Sequence, residues 1–564
     1  MGADFTRLYY LSNPVYAARP TFGFRNLWDF ANDAPYTESG QFDHATGIPF
    51  ANREDNRVNI FGVFVQDDFK MRPNLTLNLG LRWSYFGPFY SKQNNLDVLR
   101  FGSGSSVLSG LNVKVGGNLT TPQKWNFGPQ VGFAWLPAQS DNKLVIRGGF
   151  GIHYNQSEIA ILANGVGNPP NAVQKSFCCA TPTANAKGLL YETATNINSL
   201  FGYAPNPAAI TTFGPDNLPS GASFVTGFPS NPGTITNFHY SLDTEYQMPY
   251  NLVATLGYEG SQTRHLLIQS NYNVIAAANG IPLNPKVNFL DFYPNWGTAN
   301  YNAMIATLNH TFSRGFNLEG QYTWAKAMDE NSGPYEEDPY PFNSHAAYGR
   351  SDYNVGNAFK IFGLWQPVFF SGAHSWAEKV AGGWSLSGIF NWHTGFPWNP
   401  LYNVVTSGGG LYYNGAGYFQ LRPAANLGGA GSDTSNSTFM QAKNPNFKGN
   451  GTTFFKPPTF VDGPAFPATA PSPAPGIHRN SLNGPRYQDF DGSLTKAFGL
   501  PNNRILGENA RFEVRVDTYN LFNKINLDPA QIDKTLGSVN PNGTVKSINS
   551  DFGVAGKALG SRTV

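Results

Sequence analysis

Charge is scarce in this chain. Asp, Glu, Lys and Arg make up 13% of its 564 residues, roughly half the share of about 25% found in ordinary globular proteins. The charges that exist nearly cancel, at a formal +2, which points neither to nucleic acid nor to a polyacidic partner. Cysteine is almost absent: Cys178 and Cys179 stand side by side in a Pro/Ala/Asn-rich stretch. A vicinal pair can form a strained disulfide or a reactive dithiol, but in such surroundings it reads as an incidental loop feature. No run approaches the ~18 uninterrupted apolar residues of a membrane-spanning helix, and mean hydropathy is mildly negative. The chain opens at Met1-Gly2-Ala3-Asp4-Phe5 in strand-like sequence, without the charged and apolar regions of a secretory leader.

Chemistry-bearing motifs are missing too. There is no HExxH, Walker A loop, CxxC pair or GxSxG elbow, and none of the nine His has a second His at ligand spacing. No catalytic, cofactor or metal site is therefore expected. The glycine runs Gly408-Gly409-Gly410 and Gly428-Gly429-Ala430-Gly431 lack the strand-before, helix-after context of a phosphate cradle and read as flexible loop. Glu336-Glu337-Asp338, flanked by Asp329 and Glu330, has no regular ligand spacing and reads as a solvated charge run rather than a Ca²⁺ site.

What the chain has instead is aromatic residues, 15% of the total, together with 61 Gly and 41 Pro that punctuate it into short strands and loops. The clearest strand is 75–85. Leu75, Leu77, Leu79, Leu81, Trp83 and Tyr85 fall on one face, and Thr76, Asn78, Gly80, Arg82 and Ser84 on the other, a strict period of two. At ~3.3 Å per residue and ~45° tilt this length crosses a hydrocarbon core. Segments 251–259, 315–325, 383–393 and 511–517 repeat the design. In the last, Phe512, Val514 and Val516 alternate with Arg511, Glu513, Arg515 and Asp517.

Connections alternate in length. Short ones fall at 71–74, 139–142, 248–250 and 313–315, and long ones at 88–124, 156–234, 262–300, 328–356, 396–485 and 524–550. Short turns on one rim and long loops on the other are the signature of an outer-membrane barrel. The expectation is therefore an all-β, transmembrane antiparallel up-and-down β-barrel with long extracellular loops. About sixteen strands can be counted, including weaker candidates at 3–11, 17–26 and 38–50, and lipid demands that such a ladder have no open edge. The final segment, Asp551 to Val564, begins like a strand and stops.

Charges on half-apolar strands must face inward, because an Arg at the bilayer midplane costs about 2–4 kcal/mol. The lumen-facing candidates are Arg82, Glu319, Gln321, Arg511, Glu513, Arg515 and Asp517, with Asp67, Asp489 and Asp491 in the same set. They can form cross-strand ion ladders, touch a plug, or line a substrate path. Among loop aromatics, Trp398 and Tyr412-Tyr413 could stack on a ligand or pack the loops together.

Specific motifs add a resemblance. Gln66-Asp67-Asp68, the Pro73-Asn74 turn, Leu75-Thr76-Leu77-Asn78 and Gly80-Leu81-Arg82 come in the order of a hairpin of TonB-dependent outer-membrane receptors. Tyr301-Asn302-Ala303, Gly320-Gln321-Tyr322-Thr323-Trp324-Ala325-Lys326 and Tyr519-Asn520-Leu521-Phe522-Asn523 follow. Together they resemble the Oar-like, carboxypeptidase-regulatory-like branch over nearly the whole chain. The resemblance implies an energised transporter in the outer membrane of a Gram-negative bacterium. It would be a barrel of about 22 strands, with outer-membrane lipid around it, an extracellular ligand of unknown identity, and an N-terminal plug and TonB box that meet the TonB complex. Plug, TonB box and leader are not in residues 1–564, so those residues read as one barrel domain incomplete at both ends. Two other classes are open: a structural or adhesive barrel that transports nothing, and a secreted all-β carbohydrate-binding protein.

Overall fold

The computed structural model describes the chain except residues 13–19, 51–52, 172, 179–204, 222, 274–275, 277–280, 314, 334–343, 368–375, 406–417, 428–454, 462–471, 474, 501–509, 541–542, 561–562 and 564. Its main feature is a 15-stranded antiparallel sheet in which thirteen strands follow one another in chain order. We label these β1 (Gly2–Ser12), β2 (Glu54–Arg72), β3 (Leu75–Phe86), β4 (Gln123–Trp135), β5 (Leu144–Asn155), β6 (Ile235–Met248) and β7 (Leu252–Leu266). They continue as β8 (Gly297–Ser313), β9 (Phe316–Asp329), β10 (Asn357–Trp365), β11 (Trp384–His393), β12 (Tyr487–Gly499) and β13 (Arg511–Thr518). Two short strands, Tyr90–Ser91 and Gly349–Arg350, attach beside the path. Every pairing along the path joins chain neighbours, the up-and-down topology that the alternating connections require. No closing pair between β1 and β13 occurs among the described residues.

The tight turns fall where the sequence places them. Arg72 pairs with Leu75 around Pro73-Asn74. Met248 pairs with Leu252 across a turn in which Tyr250 and Asn251 both take positive φ, the left-handed backbone of a tight hairpin. Asp141 and Asn142 do the same between β4 and β5. On the same rim, the β10–β11 connection carries a short helix, α1 (Trp376–Ala381).

Of the weaker strand candidates, 3–11 is a wall strand. The other two are not: Thr21–Gly23 and Thr37–Phe42 join Val173–Cys178 in a separate three-stranded sheet. Cys178 thus ends a loop strand opposite Thr37, while Cys179 lies outside the described residues. The C-terminal segment also belongs to the loops. Ala558–Leu559 pairs with Asn526–Leu527, and Thr563 bridges Tyr519 just beyond β13.

The loops have cores of their own. Residues of the connections after β3, β5 and β7 bury Phe89, Leu96, Val98, Leu162, Phe228 and Tyr293 together. A second cluster, from the same three connections, gathers Leu99, Leu111, Val225 and Leu290. The connection after β11 and the segment after β13 share a third, built on Trp398, Tyr402, Phe455, Leu536 and Phe552.

Candidate functional site: the polar face of the wall

Cross-strand register assigns each wall residue to a face, because directly opposed residues of an antiparallel pair share one side. Starting from Leu79 opposite Val131, that side runs through Phe150 opposite Tyr240, Leu256 opposite Ala306, Phe390 opposite Phe490 and Leu494 opposite Val516. It is an apolar belt. The other side is polar, and it holds all seven candidates: Arg82 opposite Gly128, Glu319 opposite Asn309, Gln321 opposite Lys360, and Arg511, Glu513, Arg515 and Asp517 opposite residues of β12.

The polar face does not gather these residues into one cluster. Arg82 on β3 reaches over β2 to Asp4 on β1, an ion pair of 2.8 Å. The residue beneath is Gly62, where a Cβ would sit 2.3 Å from the Arg82 guanidinium, so only glycine leaves room for that bridge. Glu319 accepts from the Asn309 amide across the β8–β9 pair at 3.2 Å. Arg515 pairs with Asp517 along its own strand at 2.8 Å and also donates to Ser493 Oγ. Arg511 and Glu513 are exposed. Gln321 lines a recess of about 250 Å³ with Tyr301, Thr323, Tyr353, Asn354 and Lys360, floored by Ala325 and Ala358. Asp491 accepts the Asn520 backbone N–H at 2.8 Å and so fastens the turn above β13. Asp489 stands beside it on the same face.

Asp67 is a correction. It pairs with Leu79 and lies between Val65 and Phe69 on the apolar side. Adjacent residues of a strand face opposite ways, so only one of Asp67 and Asp68 can be inward. That one is Asp68, which accepts from Asn78 at 2.7 Å.

An ion cluster escaped the sequence reading. Arg147 on β5 meets Glu245 at 2.9 Å and Asp243 at 3.5 Å on β6. The signal was present in Leu242-Asp243-Thr244-Glu245-Tyr246, where both acids occupy one face, but Arg147 has a run of small residues after it and no strong alternation.

At the outer rim the acidic run divides. Asp329 and Glu330 are buried instead of solvated. Asp329 is clamped by Arg479, which also donates to Ser332 Oγ at 2.8 Å. Glu330 accepts the Thr298 N–H at 2.7 Å, and burial raises its pKa. Glu336, Glu337 and Asp338 lie outside the described residues, as do Tyr412, Tyr413 and both glycine runs. Trp398 packs in a loop core, 2% exposed, so it is no ligand platform. Deeper in the loops, burial pushes the Asp97 carboxyl up to about 7, against hydrogen bonds from the Asn171 backbone and amide. Burial likewise pushes Asp291 up to about 6.

Among solved structures, the chain is similar to the pyoverdine outer membrane receptor FpvA from Pseudomonas aeruginosa PAO1 bound to pyoverdine. Identity is 10%, coverage 91% of this chain and 42% of that one, and the TM-score 0.38. It is similar also to the outer membrane transporter YddB from Escherichia coli (8%, 87% and 56%, TM-score 0.38). A third is the ferric yersiniabactin uptake receptor FyuA from Yersinia pestis (10%, 87% and 43%, TM-score 0.35). The chain spans less than two thirds of the length of each. No curated protein matches it. The family model of the outer membrane β-barrel domain matches residues 1–564. With its apolar belt, its polar opposite face and that match, the chain belongs to the outer membrane β-barrel domain family, a wall of the Gram-negative outer membrane.

Proposed function

We propose that the chain is the barrel wall and outer loops of a TonB-dependent transporter, which mediates energised uptake or export of a large or scarce substrate. The observation that carries this reading is the two-sided wall. Thirteen strands turn an apolar belt to lipid and a face of charged and amide side chains inward, beneath loops large enough to hold their own cores. The motif order around Gln66-Asp67-Asp68 and Gly320 to Lys326 supports the same assignment. In this scheme a plug fills the lumen and connects to the TonB complex. Arg511 and Glu513, exposed on the inward face, are the plug or substrate contacts, whereas Arg82 and Arg515 already serve the wall as ion-pair partners.

The second reading is a structural or adhesive barrel, favoured by loop cores whose apolar residues pack against one another. Gene deletion in the native bacterium separates the two. Uptake of a ferric siderophore, an oligosaccharide and a peptide would be measured with and without a protonophore. A transporter loses one class both on deletion and on de-energising. Unchanged uptake of all classes together with loss of surface attachment would replace it by the adhesive barrel.

A further inference from the structure

A lysine interrupts the apolar belt. On β12, Lys496 stands between Leu494 and Phe498, directly opposite Trp384 of β11 and Val514 of β13, so its side chain leaves the wall on the side that meets lipid. A cation there is costly unless it is paired. Its Nζ donates to the backbone carbonyls of Lys379 at 2.9 Å and Val380 at 3.1 Å, and to that of Gly382. These are carbonyls that the end of a helix leaves without partners. The Trp384 indole N–H donates to the Val380 carbonyl as well, at 2.9 Å. Gly383, with a φ of 69°, passes so close to β12 that a Cβ would lie 2.5 Å from the Ala497 carbonyl oxygen. Lys496 is left 7% exposed, its Nζ 5.1 Å from the Trp384 ring and 5.3 Å from the Phe498 ring. The C-terminal end of α1 is therefore fastened on the lipid side of the wall, at the short-turn rim.

We infer that α1 is an interfacial anchor, laid in the phospholipid headgroup layer of the periplasmic leaflet and clamped there by Lys496. Its two sides differ. Ala377 and Ala381, one turn apart, are partly buried, whereas Trp376 and Val380, also one turn apart, are 78% and 61% exposed. Lys379 is exposed beside them. A helix washed by water turns its small or polar residues outward and its large apolar ones inward. Here the order is reversed, and an aromatic, an aliphatic and a lysine with a flexible stem are what a membrane interface accepts. The outward face continues a surface already assigned to lipid. Trp365, the last residue of β10, and Trp384, the first of β11, are exposed on the belt at the same rim, where a girdle of aromatic residues meets the headgroups. Lys379 adds a positive charge that complements lipid phosphate. The leaflet follows from the rim, because short turns mark the periplasmic side. The inference rests on the membrane orientation of the wall and not on transport.

The full chain, with Cys178 and Cys179 replaced and a nitroxide attached at Val380→Cys, would be placed in vesicles of phosphatidylethanolamine and phosphatidylglycerol. A nickel chelate carried on lipid headgroups should relax this label, and a water-soluble nickel chelate should not. A label at Lys143→Cys, exposed beside the β4–β5 turn on the same rim, should show the reverse. Lys496→Met leaves an apolar residue on the belt and removes all three donations. It should raise the mobile fraction of the 380 label roughly tenfold, the scale of one charge-assisted hydrogen bond lost, while a label at 256 in the wall stays unchanged. Relaxation of the 380 label by the soluble chelate as strong as at 143 would overturn the inference, because α1 would then lie in water. Spin–spin broadening at 380 would overturn it too, by placing a second copy on that face. An unchanged mobile fraction in K496M would remove the clamp and with it the anchor.

Discussion

The wall and the loop layer treat the same residue types in opposite ways. In the wall, Leu256 is 55% exposed and Phe512 56%; in the loops, Trp398 is 2% exposed and Tyr402 fully buried. All four clusters of buried apolar residues draw most of their members from the connections. The difference is one of solvent. A loop core excludes water and gains the hydrophobic effect, whereas a belt residue exchanges one hydrocarbon neighbour for another and is held by packing alone. Stability of the wall therefore rests on its backbone ladder, and stability of the loops on side-chain burial.

That contrast makes graded predictions. The largest effect is expected in a loop core: Trp398→Ala should weaken the loop layer by about 3–5 kcal/mol, read as lost amide-exchange protection at 401–405 and 418–421. Leu256→Ala in the belt should change vesicle folding by far less. Next comes charge on the two wall faces. Leu242→Arg, on the belt, should cost about 2–4 kcal/mol in folding into vesicles, while Ser241→Arg, one residue away on the polar face, should be near neutral. If both cost the same, the two faces are not distinct.

The third concerns pH. Asp97 holds its proton up to about 7 in the folded loops, against an ordinary value near 4. Folding then binds a proton, so the Asp97 contribution to loop stability is fully present below about pH 4 and is lost as pH rises through 7, by on the order of 4 kcal/mol. Asp97→Asn should flatten that decline, and an unchanged pH profile of loop protection would contradict it. The smallest effect is expected at Arg147→Ala. It removes a partly exposed ion cluster worth under about 1 kcal/mol, and should be smaller still at high salt.

The wall was largely legible in the sequence, because period-two alternation is a local signal that register preserves: Leu75 to Tyr85 and Arg511 to Asp517 lie as the pattern requires. Asp67 was misplaced because neighbouring charges were assigned by type, although parity permits only one of them inward. The loop cores were not legible. Trp398 meets Phe552 across more than a hundred residues, and Asp329 meets Arg479 likewise; such partners leave no periodic trace. The apolar faces of 315–325 and 383–393 each skip one position, at Gly320 and at Gly388. Only cross-strand register aligns Gly388 with Gly363 and Gly492.

The two-faced wall is tested most directly by a spin-label scan of 252–259 in β7, with Cys178 and Cys179 replaced, in lipid vesicles. Labels at 252, 254, 256 and 258 should be relaxed by oxygen dissolved in the bilayer. Those at 253, 255, 257 and 259 should be relaxed by a water-soluble nickel chelate. An unbroken profile, or one in which the chelate reaches the even positions, would contradict the account.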